Sequence, residues 1–183
     1  FGPFARELVA ARRGEVAQRT IENAEWALSY LLDFFADWPL PEIDVQAVDD
    51  FRRHMVRLSE SRRLAIERRK PLLDGTGNPL RPLAPRTINM TIDFLRWVLS
   101  IAREYGHITE NPAVGKRRRL KAERKAPVHL DSASQIEALL RAAGELDRNP
   151  RFRISDRLAI VASLIFAGPR AHELCHLLWR DVD

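Results

Sequence analysis

Arg170 and Glu173 form a cation–carboxylate pair whose residue types and spacing could act on a phosphate. A guanidinium keeps its charge and can donate two parallel hydrogen bonds to a phosphate, so Arg170 could stabilise charge developing on a phosphoryl group. Glu173 follows three residues later, on one face of a helix predicted to begin near Pro169, and could orient that guanidinium. The alternatives are a solvated arginine near a helix start and an ordinary surface pair. We assign Glu173 no role as a general base.

A short basic run predicts contact with a polyanion. The decapeptide 116–125 carries a charge of +6, which leaves −1 on the other 173 residues of a chain whose net charge is +5. Charge concentrated in this way is typical of a segment that lies along nucleic acid, although a solvated linker between domains would have the same composition. The candidate residues of this run are Lys116, Arg117, Arg118, Arg119, Lys121, Arg124 and Lys125.

A third set of candidates lies at the start of a helix predicted for residues 85–105. Pro85 suits the first helical position, and Arg86, Thr87 and Asn89 follow it. Free amides at a helix N-terminus attract phosphates, and side chains there can reach a groove of a duplex. The alternatives are local capping for Thr87 and a solvated charge for Arg86.

Several kinds of site are not expected from this sequence. Cys175 is the single cysteine, so we expect neither an internal disulfide nor a zinc cluster. His172 and His176 are four residues apart but lack the zinc-protease pattern, and we expect no metal and no other cofactor. No apolar run is long enough to cross a bilayer, no secretory signal stands at the start, and no Walker-type glycine loop is present.

The elements that position these residues are predicted to be mainly α-helical. Hydrophobic residues make up 45% and charged residues 30% of the 183 residues, as in a globular protein with one large or two small domains. Apolar residues recur every three or four positions, and no long alternating segment or repeat appears. Helices are predicted for 18–38, 45–59 with Asp44 as N-cap, 85–105, a segment capped by Asp131, 156–167 as a buried helix, and a segment from Pro169.

The stretch 59–83 has a mixed pattern. Residues 61–70 could form a basic helix, and 74–79 carry a turn or loop signal, so this region could be a mobile basic excursion. On the helix before it, Arg52, Arg53 and Arg57 are predicted to lie away from the buried stripe. Taken together, the patterns predict a helical domain over 1–115, a basic linker over 116–126 and a second helical domain over 127–183.

At this point the sequence resembles the tyrosine recombinase (phage integrase) family. The strongest likeness is a Gly-x-Arg-x-x-Glu-Leu box at 167–174, followed by a Trp-x-Asp-hydrophobic-Asp element at 177–183. Pro169 and His172 depart from the apolar residues that the family has there, and 59–83 looks longer than its usual connection. The other similar segments are 19–38, 40–44 leading into 45–58, 84–89 and 103–112.

The resemblance implies a fold and an activity. The fold is a SAM-like helical core-binding domain followed by a truncated, mostly helical start of the catalytic domain. The activity is cofactor-free site-specific exchange of double-stranded DNA, in which a tyrosine attacks a phosphodiester and four protomers assemble on two sites. Arg170 would be the first of two catalytic arginines, and the helices at 45–59 and 85–105 would face the major groove. The expected location is cytoplasmic, at the nucleoid of a bacterial or phage-infected cell.

We expect this chain alone to bind DNA without cleaving it. No tyrosine or lysine follows Arg170, while Tyr30 and Tyr105 lie in apolar helical stripes. Two other classes remain open at this point. One is a non-catalytic DNA-binding regulator with an integrase-like fold, and the other is an interaction module whose basic run binds protein or RNA.

Overall fold

The computed structural model describes residues 1–115, 118–121, 129–151, 155–178 and 180. Within these residues the chain forms seven α-helices and no β-strand, which confirms the predicted mainly α fold. The chain divides into two compact units, Phe1–Arg124 and Lys125–Asp183. None of the described helices is both long and apolar enough to cross a lipid bilayer.

Four α-helices and one short 3₁₀ turn build the first unit. Helix α2 packs against α1 and α4, and α3 packs against α4. The predicted apolar stripes form the core, and the side chains of Leu31, Phe35, Phe51 and Leu95 are completely buried in it. The elements are α1 (Gly2–Ala11), α2 (Gln18–Phe35), the 3₁₀ turn (Leu40–Glu42), α3 (Val45–Glu67) and α4 (Pro85–Glu104).

The ends of these helices follow from local chemistry. The Asp44 carboxylate accepts a hydrogen bond from the Ala47 amide at 2.7 Å, which confirms Asp44 as the N-cap of α3. Pro85 occupies the first turn of α4, where its missing N–H costs nothing. Gly106 has a φ of +77° just beyond the end of α4, a conformation that glycine adopts without strain.

Three boundaries differ from the predictions. Helix α1 was not predicted; its residues Gly2, Ala5 and Val9 are buried, and Phe4 and Leu8 pack partly buried against the core. Helix α2 ends at Phe35 and not at Trp38. Helix α3 continues to Glu67, so most of the predicted second basic helix is the end of α3 itself.

Residues 68–81 form a hairpin, named here the basic hairpin. An antiparallel bridge joins Leu73 to Pro79, and the Leu80 amide donates to the Leu72 carbonyl at 2.7 Å. The Asp74 carboxylate organises the turn, because it accepts from the Thr76 amide and hydroxyl and from the Asn78 amide. The turn predicted at 74–79 is thus confirmed, and the excursion around it has a defined conformation.

Three helices form the second unit: α5 (Ala133–Arg148), α6 (Arg157–Phe166) and α7 (Ala171–His176). Ser132, not Asp131 as predicted, is the N-cap of α5, because its hydroxyl accepts from the Gln135 amide at 3.3 Å. The predicted burial of α6 is also wrong, since none of its residues is buried. Within its unit α6 packs on α5 and α7, and its residues Leu158, Ile160 and Phe166 remain exposed.

Candidate nucleic-acid interface

Asn89 fixes Leu120, a residue within the basic run, to helix α4. Its side chain is only 7% exposed, because it lies against the chain 31 residues further on. Its amide Nδ2 donates to the Leu120 carbonyl at 2.9 Å, and its Oδ1 accepts from the Leu120 amide at 2.7 Å. This reciprocal pair satisfies both backbone groups of Leu120 and holds residues 118–121 beside the first turns of α4.

The segment held in this way faces helix α3 across a groove, named here the arginine groove. Its volume is about 580 Å³. Leu120 and three arginines of α3 line it, so the structure brings a residue of the basic run next to arginines that are far from it in sequence. The lining residues are Asp50, Arg52, Arg53, Val56, Arg57 and Leu120.

The cations of the arginine groove differ in how far their charge is offset. Arg53 pairs with Asp50, and Arg52 lies 3.9 Å from Asp49. Arg57 is exposed and forms no ion pair within the described part of the chain. Arg57 is therefore the groove arginine most available to an external phosphate.

The basic run itself is described at Arg118, Arg119 and Lys121. Arg119 forms an ion pair with Asp93 of α4 at 2.8 Å, and Arg118 donates to the Val114 carbonyl at 2.6 Å. Lys121 is exposed. These contacts hold Arg119 beside α4 and Arg118 beside Val114, while Lys121 stays exposed. The other predicted members of the run lie outside the described residues: Lys116, Arg117, Arg124 and Lys125.

The remaining candidates of α4 occupy its first turn. Arg86 is exposed and Thr87 is half-buried, one turn from Asn89. Ala84 is the N-cap residue, and the Thr87 amide donates to the Ala84 carbonyl at 2.9 Å, so Thr87 is not the cap of this helix. Arg86 thus stands at the helix end that already holds Leu120.

In the second unit, Arg170 and Glu173 are in contact. Arg170 is the N-cap residue of α7, and its side chain is 79% exposed. Glu173 accepts from the Arg170 backbone amide at 2.7 Å and from its guanidinium at 3.1 Å. These bonds, the backbone one foremost, hold the pKa of the Glu173 carboxyl below its usual value. An ionised Glu173 therefore orients the Arg170 guanidinium, which stays open to solvent.

Neither histidines nor carboxylates gather into a site of their own. In the portion of the chain that the structure describes, no three His, Cys, Asp or Glu side chains come together as metal ligands. His176 instead lies 2.7 Å through Nδ1 from the backbone carbonyl of His172.

Sequence reasoning placed Arg52, Arg53 and Arg57 on a surface without giving them a site. The signal that could have found them is the spacing of Arg53 and Arg57, which puts two cations on one helical face. The role of Leu120 carried no such signal, because its part is played by backbone atoms.

Comparison with known proteins identifies the family of this chain. No curated protein and no solved structure matches the sequence. A family model described as the phage integrase SAM-like domain matches residues 1–119. This match covers most of the first unit, including α1 to α4, Asn89 and Arg118. The chain therefore belongs to the phage integrase (tyrosine recombinase) family, and residues 1–119 are its SAM-like helical domain.

Proposed function

We propose that this chain binds double-stranded DNA through its first unit, as part of a tyrosine recombinase that acts in site-specific DNA integration. The family is one of site-specific recombinases. The observation that carries the DNA-binding proposal is the pair of hydrogen bonds between Asn89 and Leu120. It sets Leu120, within the basic run, beside the arginines of α3 and the start of α4.

Electrostatics supports duplex DNA as the partner. Arg57, Arg86 and Lys121 are exposed and unpaired among the described residues, whereas most other arginines of α3 contact a carboxylate of their own helix. Unpaired cations release counterions from a phosphate backbone without first breaking an internal ion pair. Asn89 then acts as a positioning residue in this proposal, and its direct contact with DNA stays a prediction.

Arg170 is proposed to bind the scissile phosphate. Its guanidinium stabilises charge on the non-bridging oxygens during phosphoryl transfer, and Glu173 holds it in position through their ion pair. The proposed reaction needs no cofactor, because a covalent phosphotyrosyl intermediate conserves the energy of the broken bond. In this proposal four protomers act on two DNA sites, at the nucleoid in the cytoplasm.

The chain itself is proposed to lack the nucleophile. The Tyr30 hydroxyl accepts a hydrogen bond from Arg62 at 3.2 Å inside the first unit. Tyr105 caps the C-terminal end of α4, about 24 Å along the helix from Asn89 at 1.5 Å per residue. The Tyr30 hydroxyl is therefore engaged with Arg62, and Tyr105 lies far along α4 from the contact between Asn89 and Leu120.

Duplex binding by fluorescence anisotropy over a salt series tests the proposal. We expect log affinity to fall linearly with log salt, and R57Q/K121Q to make the slope shallower by about 0.9 for each phosphate that is no longer neutralised. The matched control is R6Q/R103Q, which removes the same charge from α1 and from the far end of α4. Equal slopes for both variants, or no duplex binding by the unmodified chain, would refute the proposed surface.

A further inference from the structure

We propose that the basic hairpin, residues 68–81, is a second phosphate-contacting element, which extends the DNA surface along α3 beyond the arginine groove. The inference rests on the proposed function, because it takes duplex DNA as the partner. It assigns a binding role to a segment that lies outside the groove, the basic run and the Arg170 pair.

The charge of the basic hairpin is unbalanced and available. Its four cations are exposed, and none forms an ion pair within the described residues. By contrast, Arg63 on the neighbouring turns of α3 is held by both Glu60 and Glu67. The single acid of the hairpin, Asp74, directs its carboxylate into the turn and neutralises none of them. The four cations are Arg68, Arg69, Lys70 and Arg81.

The basic hairpin is also fixed in place at its base. The Ser59 hydroxyl of α3 donates to the Leu83 carbonyl at 2.9 Å, and Arg62 donates to the Arg81 carbonyl at 3.4 Å. Both bonds are accepted by backbone carbonyls at or just after the end of the hairpin. The attachment of the hairpin to α3 therefore does not depend on the side chains of its own four cations. A preorganised cation loses less conformational entropy when a phosphate binds it.

Arg62 is an independent sign that this region is built around positive charge. Its side chain is 7% exposed, and its Nε is buried with no hydrogen-bond partner among the described residues. Its other contacts are neutral: the Arg81 carbonyl, the Tyr30 hydroxyl and the Tyr30 ring, whose centre lies 5.7 Å from the guanidinium carbon. A buried cation without a carboxylate is poorly screened and raises the positive potential around the hairpin.

The hairpin and the arginine groove lie along one side of α3. Positions 52, 56, 59, 63 and 66 alternate in spacing between four and three, so they share a helical face. Arg52 and Val56 line the groove, Ser59 holds the hairpin, and Ile66 lines a cavity with Pro79 and Arg81 of the hairpin. From 52 to 66 the helix rises about 21 Å at 1.5 Å per residue. This length matches more than half a turn of duplex.

Duplex binding over a salt series tests the hairpin. The variant R68Q/K70Q/R81Q keeps every backbone bond described above, and R6Q/R19Q/R103Q removes the same charge from α1, α2 and the end of α4. We expect the hairpin variant to bind at least about tenfold more weakly at 0.1 M salt, with a slope shallower by about 2 to 3, whereas the control binds like the unmodified chain. A charge-conserving variant, R68K/R81K, should retain most of the affinity.

The outcomes separate the two proposals. If the unmodified chain does not bind duplex DNA, the proposed function itself is refuted. If the hairpin variant binds duplex DNA as tightly as the control does, only the proposed role of the hairpin is refuted. If the hairpin variant instead loses RNA binding or self-association while its duplex affinity matches the control, the hairpin serves another partner and the inference fails. Melting followed by circular dichroism checks that each variant is folded.

Discussion

At the residue scale, Asn89 shows which features of a residue can be predicted from a sequence pattern and which cannot. Its place near the start of a helix could be predicted from Pro85 and the spacing of the apolar residues. Its partner could not, because Leu120 lies 31 residues away and offers only backbone atoms. The contact of Glu173 with Arg170, by contrast, follows from their separation of three residues on one helix.

Substituting Asn89 by alanine should both destabilise the first unit and weaken DNA binding. The change leaves the Leu120 amide and carbonyl without their partner, which costs about 1–3 kcal/mol of the free energy of unfolding. It also frees residues 118–121 from α4. Urea unfolding measures the first effect, and anisotropy with duplex DNA measures the second.

The control for Asn89→Ala is Met90→Ala, on the next residue, whose side chain is exposed. We expect little change in either measurement for that variant. Unfolding of Asn89→Ala at the same urea concentration as Met90→Ala would show that the bond to Leu120 contributes nothing.

At the element scale, the sequence predicted the apolar faces of α2, α3 and α4 and the bounds of α4, but not the ends of α2 and α3 or which helices are neighbours. The buried residues Ile21, Phe51 and Ile92 all lie on predicted stripes. The apolar run of α6 predicted burial and was wrong, because such a run does not say how many partners cover it. The continuation of α3 to Glu67 was missed because the basic segment after Ser59 carries few apolar residues.

The start of α6 depends on a carboxylate from another helix. Asp147, near the end of α5, accepts from the Arg157 amide at 3.1 Å and the Leu158 amide at 2.9 Å. Asp156, the residue at the N-cap position, makes no capping bond. The amide of Leu158, followed by that of Arg157, lowers the pKa of Asp147 below its ordinary value of 3.8.

Asp147→Asn should therefore destabilise the second unit at neutral pH. Because the folded pKa is lowered, the contribution of Asp147 is fully present above 3.8 and is lost as the pH falls through the folded pKa. The difference from the unmodified chain should thus shrink under strongly acidic conditions. Thermal unfolding at several pH values measures it, with Asp156→Asn as control. An effect of Asp147→Asn that stays constant across this pH range would contradict the prediction.

At the scale of the whole molecule, charge gave the clearest functional signal. The excess of +6 in 116–125 predicted a polyanion as partner, and this remains a prediction. Composition could not show that Leu120 of the basic run lies beside the arginines of α3, because that depends on the helix packing and on Asn89. The predicted domain limits at 115 and 126 and the roles of the site residues also stay predictions.

Incubation of this chain with recombination sites should give DNA complexes but no covalent adduct. Tyr30 is engaged with Arg62, and Tyr105 lies at the far end of α4 from Asn89. Denaturing electrophoresis with labelled DNA measures the adduct, and a catalytically competent member of the family serves as positive control. A labelled band that survives denaturation and is absent from Tyr30→Phe or Tyr105→Phe would identify one of these hydroxyls as a nucleophile.

Burial of the Arg62 guanidinium links folding to ligand occupancy. Among the residues that the structure describes, no carboxylate pairs with this cation, so folding removes it from water uncompensated, which lowers the stability of the unbound first unit. A polyanion that binds only the folded unit stabilises it by mass action. The free energy of unfolding rises by about 2.7 kcal/mol when the free polyanion concentration is a hundred times its dissociation constant. Resistance of this unit to proteolysis should consequently rise when the chain is loaded on DNA, so that chains away from their target turn over faster than chains bound to it.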